Sequence, residues 1–128
     1  MSNETSQLDA VRAGYAATGP ALELGAAVDA GTAHSDAQVR VPLSSLTKHG
    51  LVAGATGTGK TKTLQVMAEQ LASAGVPVFL ADMKGDLSGI ASPGQSNPKI
   101  EQRASEVGQQ WTPSGHPTEF LSLGGQGR

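Results

Sequence analysis

The sequence predicts an α/β fold organised on a parallel sheet, with a short N-terminal helix and a small β element ahead of it. Three observations carry that prediction. The stretch Gly54-Ala55-Thr56-Gly57-Thr58-Gly59-Lys60-Thr61 satisfies the pattern G-x-x-x-x-G-K-[ST] at every fixed position. A short apolar run, Leu51-Val52-Ala53, precedes it, and a helical apolar periodicity follows it. A second apolar run, Val76-Pro77-Val78-Phe79-Leu80-Ala81, then ends in Asp82. Strand, glycine loop, helix and strand in that order form a βαβ unit, whose crossover is expected to be right-handed.

Taken in order, the chain begins with an N-terminal helical arm within residues 1–20. Residues 4–18 read as the helix: Ser6 is a candidate cap with Asp9 three positions on, and Leu8, Val11, Arg12 and Tyr15 share a face. Gly14 inside it costs about 1 kcal/mol relative to alanine. Residues 21–46 change period to two, with Leu22 and Leu24 alternating with polar or small neighbours, and Val39, Val41 and Leu43 doing the same. This predicts two short strands joined through the polar turn Asp29 to Asp36, with Pro42 confined to an edge or an end. Such an element can cradle a base, contact another subunit or simply cover the core. His34 and His49 read as loop polar groups, since neither has a second ligand at metal spacing.

Residues 47–128 carry the phosphate loop. Glycines at 54, 57 and 59 free the backbone to turn consecutive N–H groups toward one anion. Lys60, where loop becomes helix, supplies a point charge for the β- and γ-phosphates, and the Thr61 hydroxyl can ligate a bridging Mg²⁺. The following helix presents Leu64, Met67, Ala68, Leu71 and Ala72 on one face, with Gly75 as its stop and Pro77 beyond. Its positive N-terminal end adds to the same field.

Asp82 has three readings. It can hold Mg²⁺ through water as a Walker B carboxylate; it can belong to a turn, Asp82-Met83-Lys84-Gly85-Asp86, that shapes the site; or it can merely cap that turn. Beyond it, a loop leads to Asn97-Pro98, a cap followed by proline in the first turn, and Ile100, Ala104, Val107 and Trp111 form a helical stripe with Trp111 as its core anchor. His116 sits in a turn segment and is no candidate catalyst. Glu119-Phe120-Leu121-Ser122-Leu123 reads as a further short strand.

Composition narrows the function classes. Aromatics are only 3% and glycine and proline number 17 and 7, so the core must come from Leu, Val and Ala, and compact folding of the whole chain is not expected. With 9 basic and 11 acidic side chains spread along the chain, no basic patch advertises nucleic acid. The absence of cysteine excludes disulfides and thiolate zinc sites. No apolar run approaches a signal or membrane segment, which makes a cytoplasmic protein without a membrane partner the expectation.

From Gly50 to Ala91 the sequence GLVAGATGTGKTKTLQVMAEQLASAGVPVFLADMKGDLSGIA resembles the start of the HerA-like helicase family, bacterial ATPases related to the HerA and FtsK motors. The phosphate loop, its helix and the D-x-K-G-D turn occur together in the right order. RVPLSSLTKHG before them and EFLSLGGQGR after them are similar more loosely, so the likeness runs from about Ala21 onward. The resemblance implies a P-loop NTPase sheet of the RecA-like additional-strand type, incomplete here, with ATP and Mg²⁺ as cofactors. It further implies a ring-forming homo-oligomer in the full-length protein, often with DNA as partner.

Carried over residue by residue, the resemblance implies nucleotide binding by Gly54, Thr56, Gly57, Thr58, Gly59, Lys60 and Thr61, with Lys60 catalytic and Thr61 on the metal. In this family the Walker B acidic pair comes from a later strand, and Asp82 occupies the second-strand position instead. A strand ending in two acidic residues, a polar sensor strand and an arginine finger are not found; Arg103 lies on a remote helix and Arg128 is the last residue. The expectation is therefore the N-terminal portion of a HerA-like ATPase, translocase or helicase that binds ATP and hydrolyses it weakly or not at all by itself. Two rivals stand beside it. One is a compact P-loop kinase or GTPase with Asp82 on the metal, although no N-K-x-D motif is present; the other is a non-enzymatic nucleotide-binding or subunit-interaction fragment.

Overall fold

The computed structural model describes residues 2–124, with side chains from residue 7 onward. The Ser6 side chain and residues 125–128, with Arg128, lie outside the described residues. Along the chain run α1 (Ser2–Gly14), β1 (Ala21–Asp29), β2 (Thr32–Pro42), a 3₁₀ turn (Leu43–Thr47), α2 (Lys60–Ser73), a second 3₁₀ turn (Ser88–Ala91) and α3 (Pro98–Glu106). The result is a small α/β structure in which the helices gather on one antiparallel hairpin.

That hairpin is tighter than the polar stretch suggests. β1 and β2 pair antiparallel from Ala21↔Pro42 to Asp29↔Thr32, so the connection is only Ala30-Gly31. Both residues take positive φ, +46° and +82°, the combination that matches the right-handed twist of the flanking strands. His34 consequently lies in β2 rather than in a loop, and Pro42 closes the strand at its end.

The ladder breaks twice. Leu24 falls between the paired residues Glu23 and Gly25, and Ser35, Asp36 and Ala37 fall between Gln38, paired with Ala26, and His34, paired with Ala27. Bulges of this kind re-aim side chains and offer backbone groups to other elements, and the helices dock there. Arg12 of α1 donates to Asp36 Oδ2 from Nη2 at 2.6 Å and from Nε at 3.0 Å. Gln38 Nε2 donates to Ser35 O at 2.6 Å and to Val107 O, at the end of α3, at 2.8 Å. Gln70 of α2 accepts from Glu23 N at 2.7 Å and donates to Glu23 O at 2.8 Å.

Apolar burial is limited to match: Leu22, Ala37 and Ala68 are the buried hydrophobic residues among those described, at 1%, 0% and 3% exposure. The buried face of α2 runs through Gln65 and Ala68, while Leu64 is exposed, so the helix is rotated from the stripe its sequence suggests.

Several expected elements differ. α1 starts at Ser2, which places Ser6 inside the helix rather than at its cap, and it stops at Gly14, the residue least suited to a helix interior. Leu51–Ala53 and Val76–Ala81 carry no ladder, so the parallel sheet is absent among the described residues; Leu51 and Phe79 are 89% and 85% exposed. A strand requires a neighbour for its N–H and C=O groups, and these runs have none here. Residues 119–123 likewise form no strand, and Phe120, Leu121 and Leu123 are exposed.

The helix ends follow local rules closely. Asn97 Oδ1 accepts from Lys99 N and Ile100 N, both at 3.0 Å, with Pro98 in the first turn of α3. At the other end Gly108 N bonds Ser105 O at 3.1 Å and Gln109 N bonds Ala104 O at 2.9 Å, a paired closure that a left-handed residue completes. α2 ends the same way through Gly75 and Val76, with bonds to Ala72 O at 3.0 Å and Leu71 O at 2.9 Å. Because α3 closes at Gly108, Trp111 does not continue its stripe. The indole instead faces Gly94, where a Cβ would stand 3.3 Å from Trp111 Cζ2.

Gly108 has φ +69°, and a Cβ there would lie 3.0 Å from Ser35 Cβ in the β2 bulge. Gly108→Ala is expected to destabilise the fold by about 1–2 kcal/mol, the cost of a left-handed residue with a side chain, measured as a lowered midpoint in urea unfolding. Unchanged stability would mean that α3 does not depend on this contact.

Candidate phosphate-binding site

The glycine loop meets α2 at Gly59, which takes φ +97°, ψ +14° immediately before the helix, with Gly57 at φ +79°. Side-chain-bearing residues pay for such angles in steric strain, so glycine at both positions lets the loop turn sharply into the helix. No side chain caps α2 and no acidic residue occupies its first turn. The N–H groups at the start of a helix lack intrahelical acceptors and carry its positive dipole end, which together favour an anion.

Inside the loop the carbonyl of Ala55 is a hub. Lys60 Nζ and Thr58 Oγ1 each donate to it at 2.7 Å, and Thr58 N approaches at 3.4 Å. The lysine ammonium is thus drawn back over the loop, and two of its three donors remain for oxygens of a ligand. Gly54 faces this hub: a Cβ there would stand 2.5 Å from Thr58 Oγ1 and 3.5 Å from Lys60 Cγ. At the helix side, Thr63 Oγ1 and Thr63 N both bond Gly59 O, at 3.1 and 2.9 Å, fixing the junction. Gly54, Gly57, Thr58, Gly59 and Lys60 are therefore brought together in one turn, with Thr56 within it and Thr61 the second residue of α2.

Asp82 stands across a cleft of about 270 Å³ that Thr61, Leu64 and Leu87 also line. Its carboxylate is committed to its own turn: Oδ1 accepts from Lys84 N at 3.0 Å and Gly85 N at 2.9 Å, and Oδ2 accepts from Leu87 N at 2.7 Å. These bonds, that from Leu87 foremost, hold its pKa below the usual carboxylate value. The turn is latched to α2 by Gln65, 8% exposed, whose Nε2 donates to Asp86 O at 3.0 Å while its Oε1 accepts from Lys62 Nζ at 2.9 Å. Gln65 lies outside the apolar stripe of Leu64, Met67, Ala68, Leu71 and Ala72 that the sequence suggests for this helix. Its spacing with Thr61 and Ala68, i, i+4 and i+7, was the available signal.

Among the described residues no group of three or more His, Cys, Asp or Glu side chains is placed to hold a metal ion. His116 engages Ile90 O through its backbone N–H at 3.2 Å, tying the 112–117 segment to the second 3₁₀ turn. No helix among the described residues is long and apolar enough to cross a membrane.

A glycine loop delivering a lysine and a threonine to an uncapped helix start is the arrangement that binds phosphate in nucleotide-handling proteins. The family model described as "Helicase HerA-like C-terminal" matches residues 28–128, and the chain belongs to that family. The match corrects one expectation: the model describes the C-terminal part of these helicases, not an N-terminal portion. No match was found among curated proteins or among solved structures.

Because the folded-state pKa of Asp82 is depressed, the stabilisation its turn contributes is complete above the ordinary carboxylate value of about 4 and is lost as pH falls through the lower folded value. The backbone amide resonances of Lys84, Gly85 and Leu87 are expected to titrate together, with a midpoint below about 4. Independent or absent titration of these amides would disprove the shared carboxylate.

Proposed function

We propose that this chain binds the phosphates of ATP, with Mg²⁺, as the phosphate-loop segment of a HerA-like ATPase. The observation that carries the reading is the uncapped start of α2, entered through left-handed Gly57 and Gly59, with Lys60 held above the loop by Ala55 O. The residues fit the group. The backbone N–H groups of the loop and first helical turn would hold phosphate oxygens, Lys60 would supply the cation on the β- and γ-phosphates, and Thr61 would hold the metal. Bound Mg²⁺ supplies neutralisation of the developing phosphate charge. Thr58 keeps the loop closed by donating from Oγ1 to Ala55 O, and Gly54 leaves room for that hydroxyl.

Asp82 is assigned a shaping role, supported by the backbone N–H groups that occupy both of its oxygens. Through Gln65 its turn is fixed against the helix that carries Lys60 and Thr61. Efficient hydrolysis then needs a water-activating carboxylate and an arginine from elsewhere in the assembly, and turnover by this chain alone is proposed to be weak or nil.

The parallel sheet of the RecA-like additional-strand type is part of the same proposal, with Leu51–Ala53 and Val76–Ala81 as strands paired by neighbours not among the described residues. Their exposed apolar side chains support it. A ring of like subunits acting on DNA is the assembly in which the segment would work, a reading supported by family membership.

A second reading rests on Thr61 and Asp82 sharing one cleft: there Asp82 reaches Mg²⁺ through a water, as in a compact kinase or GTPase.

Saturating Mg·ATP is expected to raise the thermal midpoint of the chain, since a ligand at one hundred times its Kd adds about 2.7 kcal/mol to a folded state it alone binds. Lys60→Ala is expected to abolish the rise. A shift that survives Lys60→Ala would refute the phosphate-loop assignment. Asp82→Asn is expected to retain the Mg²⁺ dependence of ATP binding, measured by calorimetry, and loss of that dependence would favour the second reading.

A further inference from the structure

We propose that the Gln70 amide stands in for a strand: it plugs the outer edge of β1 and keeps the hairpin from pairing with a second copy of this chain. Among the described residues the sheet has two strands, so β1 and β2 each present a ladder edge to their surroundings. A row of unpaired N–H and C=O groups is a template for another strand unless something occupies it. On β2, α1 attaches at Asp36 and α3 at Gln38. On β1, the backbone groups taken up by other elements are those of Glu23.

Glu23 is paired with Arg40, yet its N–H and C=O both turn to the helix on the other side. Gln70 Oε1 accepts from the N–H at 2.7 Å, and Gln70 Nε2 donates to the C=O at 2.8 Å. A primary amide offers a donor and an acceptor, as a peptide group does. The two bonds are therefore the pair that a residue of a neighbouring antiparallel strand would exchange with Glu23. Gln109, 86 positions along, points a second amide at the same carbonyl, at 3.4 Å. It also joins Leu24 and Val66 around a cleft of about 150 Å³, so α2 and the segment after α3 close together over this stretch of β1.

What the plug excludes is a second β1. Leu24-Gly25-Ala26-Ala27-Val28 carries no charge and no proline to repel or interrupt a partner, and Val28 is 55% exposed. The flanking acids do not supply the repulsion. The Glu23 carboxylate lies 3.4 Å from Arg40 Nη2 across the hairpin, and Asp29 sits at the turn. Two strands alone make a marginal sheet, whereas antiparallel pairing of β1 with its copy makes four, through one self-complementary contact.

The test is amide hydrogen exchange over residues 21–29 together with sedimentation of the full chain, for the wild type, Gln70→Met and the double variant Gln70→Met/Val28→Lys. Methionine keeps the length of the side chain and its helix propensity and removes the amide. In the wild type, exchange over 21–29 is expected to be independent of protein concentration. In Gln70→Met it slows by about tenfold or more as concentration rises and the mass doubles. Val28→Lys, by placing a charge on the edge, returns both to the wild-type values. Concentration-dependent protection of 21–29 already present in the wild type overturns the proposal, as does a Gln70→Met variant that behaves like the wild type. Association that Val28→Lys leaves intact, or that protects residues other than 21–29, overturns it as well. So does loss of the folded circular-dichroism signal in Gln70→Met, because the amide is then required for the fold before any edge is exposed.

Discussion

The amide of Gln70 meets both backbone groups of Glu23, accepting from its N–H at 2.7 Å and donating to its carbonyl at 2.8 Å. In a larger sheet a neighbouring strand would satisfy those groups. Here one side chain does so, and in doing so it fixes α2, which follows the glycine loop, to the hairpin. Both bonds are exposed, where a hydrogen bond adds about 0.5–1.5 kcal/mol net, but two of them on one amide are directional and orient α2 against the hairpin. The loop, the cleft beside Asp82 and the cleft beside Leu24 all inherit their positions from this contact.

The same device recurs across the molecule because apolar burial is scarce. With Leu22, Ala37 and Ala68 as the buried hydrophobic residues among those described, tertiary order comes to depend on amides and one guanidinium reaching backbone or carboxylate groups. Gln38 ties the β2 bulge to the end of α3, Gln65 ties α2 to the turn after Asp82, and Arg12 ties α1 to Asp36. The register breaks in the hairpin are the sites of attachment. Regular strand pairing would leave fewer backbone groups at those positions for the helices to use.

At the site, local and tertiary effects divide cleanly. Gly57 and Gly59 adopt the left-handed angles that the pattern demands, and the Ala55 carbonyl gathers Thr58 and Lys60 within eight residues of chain, so the loop is largely self-determined. Asp82 was open to three readings in the sequence because an Asp after an apolar run looks alike whether it faces a metal or its own turn. The bonds from Lys84, Gly85 and Leu87 give its oxygens definite partners. That choice depends on how the turn curls, which one-dimensional spacing does not encode.

What the sequence determined by itself is the set of features whose causes lie within a few residues. These are the hairpin, the Asn97-Pro98 start of α3, the glycine closure of α2 at Gly75 and the glycine loop with Lys60, each governed by dihedral preference or a local hydrogen bond. Its family was legible too, since the loop, helix and D-x-K-G-D turn form one contiguous run. Tertiary structure decided the rest. It rotated α2 so that Gln65 rather than Leu64 is buried, and left Leu51–Ala53 and Val76–Ala81 without ladder partners. Apolar periodicity reports which residues favour burial; which of them are buried depends on the surfaces that come to meet them.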